Sequence, residues 1–297
     1  MAVAITQDEA AREQWLRERR RGIGASEVGT ILGLNPYESP FELYLHKRGE
    51  IPAKEESLAM WLGHQMEPII AARYEMETGR FLHDPGEYAI QAHPDYPWLR
   101  ATLDRTTRYE DGESGAVELK APGSDNGDWS ECEAPLVYQA QLQIQMACAG
   151  FERGEIAAMI GNRDFLVIPF ERNDEFLDSV VPVLHEFWER IVAGDPPPVD
   201  GSASTARALR ALHPLDNGKS IQLPAEFAAT IAEWQDLKVM KKGVEDKIAL
   251  AENQIKAAIG DNTFGEVDGV RLSWKAQTRK SYTVAESTYR VLRKVGK

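Results

Sequence analysis

Two strand-like runs, Trp98 to Tyr109 and Ala116 to Lys120, flank the segment Glu110-Asp111-Gly112-Glu113-Ser114-Gly115. Glycines and short polar residues between such runs predict a β-hairpin. Ala121-Pro122-Gly123 then stops the second strand. The hairpin fixes a period of two along its strands, so every second side chain shares a face. Glu118 and Lys120 therefore share one face, and Leu119 between them points into the opposite, apolar layer. Asp104, in the first strand, can be brought beside Glu118 and Lys120 by the turn.

The surrounding chain is mostly helical in pattern. Residues 7 to 20 carry Ala10, Ala11, Trp15 and Leu16 at helical spacing. Gly22-Ile23-Gly24-Ala25 breaks that pattern, and Ser26 can cap a second helix through Leu32. Pro40 suits the first turn of a helix to about Lys47. A further helix is expected from Ser57 to Thr78, kinked or restarted at Pro68 and ended by Gly79. A short mixed strand is expected over Glu87 to Gln91.

After the hairpin come a helix from Pro135 to Ala149, a strand pair at Glu155–Ile160 and Phe165–Pro169, and an amphipathic helix from Asp174 to Ala193. Gly194-Asp195-Pro196-Pro197-Pro198 reads as a linker, and Gly201 to Ser220 as a small, polar stretch with little pattern. This predicts a domain of residues 1–200 and an extension of residues 201–297. The extension holds a long helix over Ala225 to Ile259 and a hairpin about Asp268-Gly269. Ile231, Trp234, Leu237, Val244, Ile248, Ala251, Ile255 and Ile259 form an apolar stripe on that helix, for the core or for another subunit.

Two carboxylates and an ammonium in a small space suit phosphodiester hydrolysis. Mg²⁺ prefers oxygen ligands, takes few from protein and keeps several waters. Asp104, Glu118 and a backbone carbonyl would leave room for a scissile phosphate and a water. Lys120 can orient or deprotonate that water, or offset phosphate charge, and its pKa can be lowered into a useful range. Acid-x-Lys alone also occurs on solvated strand faces. A glycosidase reading of the carboxylate pair leaves Lys120 idle.

Charge restricts where nucleic acid can bind. The formal net charge of −13 argues against a protein that coats DNA non-specifically. Positive charge is local: Arg17, Arg19, Arg20 and Arg21 form one basic knot, and Arg271 to Lys297 is a basic tail with Glu286 as its acid. The tail reads as a DNA contact or a solvated end. Two cysteines, Cys132 and Cys148, give no disulfide framework and too few ligands for a four-cysteine iron–sulfur cluster. Reduced thiols, and no signal peptide over Met1 to Asp8, lead to an expected cytoplasmic location.

The order of motifs adds more. After the Arg-rich knot come Gly22-Ile23-Gly24-Ala25-Ser26-Glu27, Gly63-His64-Gln65-Met66-Glu67-Pro68, Asp104, Glu118-Leu119-Lys120 and Tyr138-Gln139-Ala140-Gln141-Leu142-Gln143. This resembles the YqaJ-like viral recombinases, relatives of phage lambda exonuclease in the PD-(D/E)XK nuclease superfamily, over about residues 12 to 195. The resemblance implies an α/β nuclease core with a central mixed sheet flanked by helices. It implies a metal-dependent exonuclease that digests duplex DNA from a 5′ end and leaves a 3′ overhang.

Asp104, Glu118, the Leu119 carbonyl and Glu67 match the family's metal-site positions, with Mg²⁺, or Mn²⁺, as the ion. Lys120 matches its catalytic lysine and Gln141 a glutamine beside the centre. Arg19, with Arg21 as its alternative, matches the arginine that holds the terminal 5′-phosphate, assisted by Ser26. Ser26 as a plain helix cap, and Glu67 as a solvated helix residue, stay open. Leu103 and Arg105 depart from the superfamily's usual neighbours of the aspartate. Double-stranded DNA ends, a single-strand annealing protein and a ring-shaped homotrimer are the implied partners. An endonuclease on the same fold and a non-catalytic recombination module are the alternatives. His64, Trp61 and Trp98 read as surface or packing residues, Asp95 as a neighbour of the centre, and Asp125 and Asp128 as parts of a polar loop.

Overall fold

The computed structural model describes residues 14–86, 88–123, 129–130, 132–161, 163–281, 283, 286 and 288–294. Asp125, Asp128, residues 7–13 of the first expected helix, Glu87 and Lys297 lie outside them. The chain divides into two compact units, the first ending at Pro214 and the second beginning at Leu215.

The first unit opens with a helix at residues 14–19, followed by β1 (Ile23–Gly24). The chain then makes a tight turn at Ala25–Glu27 that runs into the single helical turn Val28–Ile31. Ser26 is not the cap expected from the sequence. The Glu27 carboxylate accepts the Gly24 N–H at 2.8 Å, and Ser26 lies inside the turn. Helix α1 (Pro40–Arg48) starts at Ser39, whose Oγ accepts the Glu42 N–H, and ends at Gly49 with φ 69°. That left-handed geometry favours glycine. Helix α2 (Leu58–Thr78) is capped by Ser57 and passes through Pro68 without restarting.

Strands β2 (Leu82–His83), β3 (Ile90–Ala92), β4 (Leu99–Thr102), β5 (Arg105–Arg108) and β6 (Ser114–Lys120) follow. Helix α3 (Leu136–Ala149) connects β6 to β7 (Arg153–Ile160), which turns into β8 (Asp164–Glu171). The main sheet has the order β2-β5-β6-β7-β8 and is mixed: β6 and β7 are parallel, the other pairs antiparallel. A three-stranded sheet, β1-β4-β3, adjoins it through the chain.

Helices cover both faces of the main sheet, because β6 and β7 are apolar on both. Val117, Leu119 and Ala157 pack with Ile70 and Tyr74 of α2. Ala116 and Ile156 join the larger core with Leu142 and Met146 of α3 and Leu184 and Phe187 of α4 (Asp174–Ala193). This is the expected architecture: a mixed sheet flanked by helices.

Residues 201–220 do hold a regular element. Helix α5 (Ala203–Leu212) begins at Ser202, which accepts the Thr205 N–H at 3.0 Å. It packs on α1, where Arg207 and Ser204 both bond Glu42. The expected boundary at residues 200/201 and the division at 214/215 differ by this helix. Its buried face is Ser204, Thr205 and Ala208, too small and polar to read as a stripe.

The second unit is α6 (Phe227–Ile259) with β9 (Phe264–Val267) and β10 (Val270–Ser273). The hairpin turn sets Asp268 at φ 50° and Gly269 at φ 78°, the mirror-image turn that the Asp-Gly pair favours. Among the described residues no helix is long and apolar enough to cross a membrane.

Candidate active site

The expected first hairpin strand is broken at two residues, Leu103 and Asp104. β4 pairs with β1 and β3, whereas β5 pairs with β2 and β6. Asp104 lies between them, where the chain leaves one sheet for the other. The β5–β6 ladder ends at Arg105 opposite Val117. Past that end, Asp104 Oδ2 accepts the Leu119 N–H at 2.9 Å. In a strand a residue's N–H and C=O point to the same side. The Leu119 carbonyl is therefore directed to this open edge as well.

Strand alternation does the rest. Leu119 faces the α2 layer, while Glu118 and Lys120 face α3. Glu118 is buried, at 1% exposure. Its Oε1 accepts hydrogen bonds from Lys120 Nζ and, at 2.5 Å, from Gln141 Nε2. Its Oε2 accepts one from Gln145 Nε2 at 2.6 Å. Lys120 Nζ also lies 3.4 Å from Gln141 Oε1 and 4.8 Å from the centre of the Tyr138 ring.

The glutamines of α3 divide by helical phase. Gln141 and Gln145, four apart, reach Glu118. Gln139 bonds the Ala134 carbonyl, and Gln143 ties Glu171 and Asn173 to the helix. Gln145 and Tyr138 are the site residues that sequence reasoning did not assign. The shared face of Gln141 and Gln145 was the available signal.

The electrostatics follow from crowding. Burial, and then the Glu118 charge, hold the Asp104 carboxyl well above its ordinary range. Burial also raises Glu67 on α2, with His64 and Arg105 opposing and Glu118 adding to the rise. Burial pulls the Lys120 ammonium down, but Glu118 and Asp104 outweigh it, and its pKa is raised. The lowered lysine expected from the sequence is not what these neighbours produce.

A divalent cation fits this donor set. Among the described residues no three His, Cys, Asp or Glu side chains converge as a ready-made metal cluster. What converges is two carboxylates and a backbone carbonyl, the sparse oxygen set that suits Mg²⁺ with its waters. Gln145 Oε1 is a buried acceptor with no hydrogen-bond partner. That orphaned acceptor belongs to the residue that bonds Glu118, and the donor set as a whole is one a cation suits.

The second candidate cluster lies at the N-terminal turn. Arg19 bonds Ser26 Oγ at 3.1 Å, reaches Glu27 at 3.5 Å and lies over the Trp15 ring at 4.7 Å. Lys47, buried, pairs with Glu27 at 2.6 Å and donates to the Arg19 and Gly22 carbonyls. Sequence reading gave Lys47 no part in this. Arg21 is turned away, bonded to Glu18 and well exposed. His64 pairs with Glu56 at the surface. Asp95 is exposed, its backbone N–H donating to His93. Trp98 packs against the core, but Trp61 is 48% exposed.

Residues 14–152 match the family model of the YqaJ-like viral recombinase domain. The protein YqaJ of Bacillus subtilis (strain 168) is 32% identical over 279 residues, spanning 92% of this chain and 86% of that one. The chain belongs to the YqaJ-like viral recombinase family. Among solved structures, LHK-Exo in complex with dAMP has a TM-score of 0.50 and 22% identity, over 62% of this chain and 94% of that one. A second structure of LHK-Exo, an alkaline exonuclease from Laribacter hongkongensis, has a TM-score of 0.48 at the same identity and coverage. At that identity the likeness is one of fold. The family match spans Arg19, Ser26, Glu67, Asp104, Glu118, Lys120 and Gln141.

Proposed function

We propose that this YqaJ-like chain is a metal-dependent exonuclease that digests linear double-stranded DNA from 5′ ends and leaves 3′ single strands for recombination. The observation that carries the reading is the meeting of Asp104, Glu118, the Leu119 backbone and Lys120 at the end of β6. Family membership and the exonuclease fold support it.

Asp104, Glu118 and the Leu119 carbonyl would hold Mg²⁺, or Mn²⁺, with Glu67 bearing on a second ion or its water. Bound there, the ion would stabilise phosphate charge and acidify water. Gln141 and Gln145 fix the Glu118 carboxylate, so it need not reorganise when the phosphate arrives. Lys120, protonated at rest, offsets charge on the phosphate and orients the attacking water. Arg19, steadied by Ser26 and the Trp15 ring, grips a terminal 5′-phosphate through the fork geometry of its guanidinium. A pocket that reads an end favours an exonuclease over an endonuclease on the same fold. The location would be cytoplasmic, and a single-strand annealing protein is the partner that such overhangs call for.

The test uses end-labelled linear and closed circular duplex DNA, with and without Mg²⁺. Linear DNA alone should be degraded, only with metal, and with 5′-phosphorylated ends preferred. Cutting of closed circles would replace the exonuclease with the endonuclease. No cutting of either form with Mg²⁺ or Mn²⁺ would sink the nuclease reading.

A further inference from the structure

Lys47 is a buried cation to which the nuclease reading gives no task. It stands on α1 with its side chain 4% exposed. Its Nζ donates to the Arg19 and Gly22 carbonyls, both at 2.7 Å, and meets Glu27 Oε2 at 2.6 Å. Burial draws its pKa down, with Glu27 opposing. Three acceptors about one nitrogen nevertheless call for the ammonium, which has three N–H donors. All four residues belong to the first unit.

The two carbonyls alone would need only a neutral donor. The carboxylate is what calls for a charge. Glu27 Oε2 accepts the Gly24 N–H and faces Lys47. Glu27 Oε1 lies 3.5 Å from the Arg19 guanidinium, which also donates to Ser26. Glu18, another acid of this segment, is taken by Arg21 and Arg100. Arg19 thus stands beside a carboxylate at the place where the proposed function brings a terminal phosphate. Alone, Glu27 would cancel the Arg19 charge and repel the incoming phosphate, and close like charges are costly out of water. With Lys47 on its other oxygen, the trio of two cations and one anion keeps a net positive charge.

We propose that Lys47 is a positioning residue for the DNA end: from inside the fold it balances Glu27, so that the Arg19 guanidinium meets a terminal phosphate with its charge uncancelled. The inference rests on the reading of Arg19 as the phosphate grip and adds the residue that keeps the grip effective.

Binding of duplex DNA ends to the full chain tests it, by fluorescence anisotropy without metal. One ratio is read: affinity for a 5′-phosphorylated end over a 5′-hydroxyl end. The parent should prefer the phosphate, and Arg19→Ala should lose the preference. Lys47→Met should lower the ratio on the order of tenfold. Lys47→Met with Glu27→Gln should bring it back near the parent's value, although both variants lack the bonds to the two carbonyls. A lysine that merely holds the turn predicts equal losses in the two. Glu27→Gln alone keeps those bonds and should raise the ratio, which decides the matter even where Lys47→Met fails to fold. A parental ratio in Lys47→Met, a double variant no better than Lys47→Met, or a fall in Glu27→Gln would each overturn the role of Lys47 and leave Arg19 in place. A preference that survives Arg19→Ala would remove the phosphate grip, and this inference with it.

Discussion

The two compact units are held together by opposite means. The first buries Leu142, Ile144, Ile156 and Leu184 completely and encloses charge as well, in Glu118 and the Glu27–Lys47 pair. Among its described residues the second has one buried hydrophobic, Ile259, against which Gly265 of the hairpin rests. A mixed sheet between helices can close its own core. A long helix with a small hairpin cannot, and it keeps its shape through backbone hydrogen bonds and local ion pairs such as Lys256–Glu252. Substitutions in the first unit should therefore act through packing and site geometry, and those in the second through helix propensity.

The largest difference is expected at the site. Lys120→Ala should slow cleavage by about 10²–10³-fold, in the range of losing one transition-state donor, while DNA still binds without metal. Turnover within tenfold of the parent would remove Lys120 from the mechanism. Leu142→Ala comes next. It should cost the first unit about 2–5 kcal/mol in urea unfolding, against about 0.5 kcal/mol or less for Val239→Ala, exposed in α6. Equal losses would erase the contrast between the units.

Acid should then loosen α5 from α1. Glu42 has a lowered pKa: burial raises it, but the hydrogen bonds from Arg207 and Ser204 outweigh burial. A carboxyl held below its unfolded value stabilises the fold fully above that value, 4.5 here, and loses the contribution as pH falls through the folded one. Glu42→Gln should thus be less stable than the parent at pH 7, and the gap should shrink steadily below about pH 4.5. A gap that stays constant with pH would detach Glu42 from the docking of α5. The smallest effect should come from Gly243→Ala. Gly243 lies inside α6 with open space around it, so alanine should stabilise the second unit by about 0.5–1 kcal/mol. Helicity against urea would register that gain, and the first unit should not change.

Local pattern made much of this molecule legible. The strand carrying Glu118 and Lys120 is readable because alternation sets the facing of each residue before any partner is known. The Asp268-Gly269 turn and the capped starts of α1 and α2 are equally local. The break at Asp104 was not readable. It depends on which strands claim the residues on either side, and β4 is claimed by β1, which lies far back in the chain, while β5 goes to β6. Gln145 could be aligned with Gln141 by helical phase, yet its role requires knowing that α3 lies on β6. Ser26 misled because a serine before a helix is usually a cap, and Glu27 took that task. Helix α5 escaped notice because its hidden face is made of Ser204, Thr205 and Ala208.

The seam between the two sheets has a mechanical corollary. Ile23 and Gly24 lie alongside Leu99 and Arg100, so the turn bearing Ser26 is fastened to the strand that delivers Asp104 two residues beyond its end. On the proposed function, the anchor for a DNA terminus and the ligand for the ion would thus ride on one short splint. Lengthening that splint by a residue would move the point of grip relative to the point of cutting, and the size of each bite along the strand would change with it.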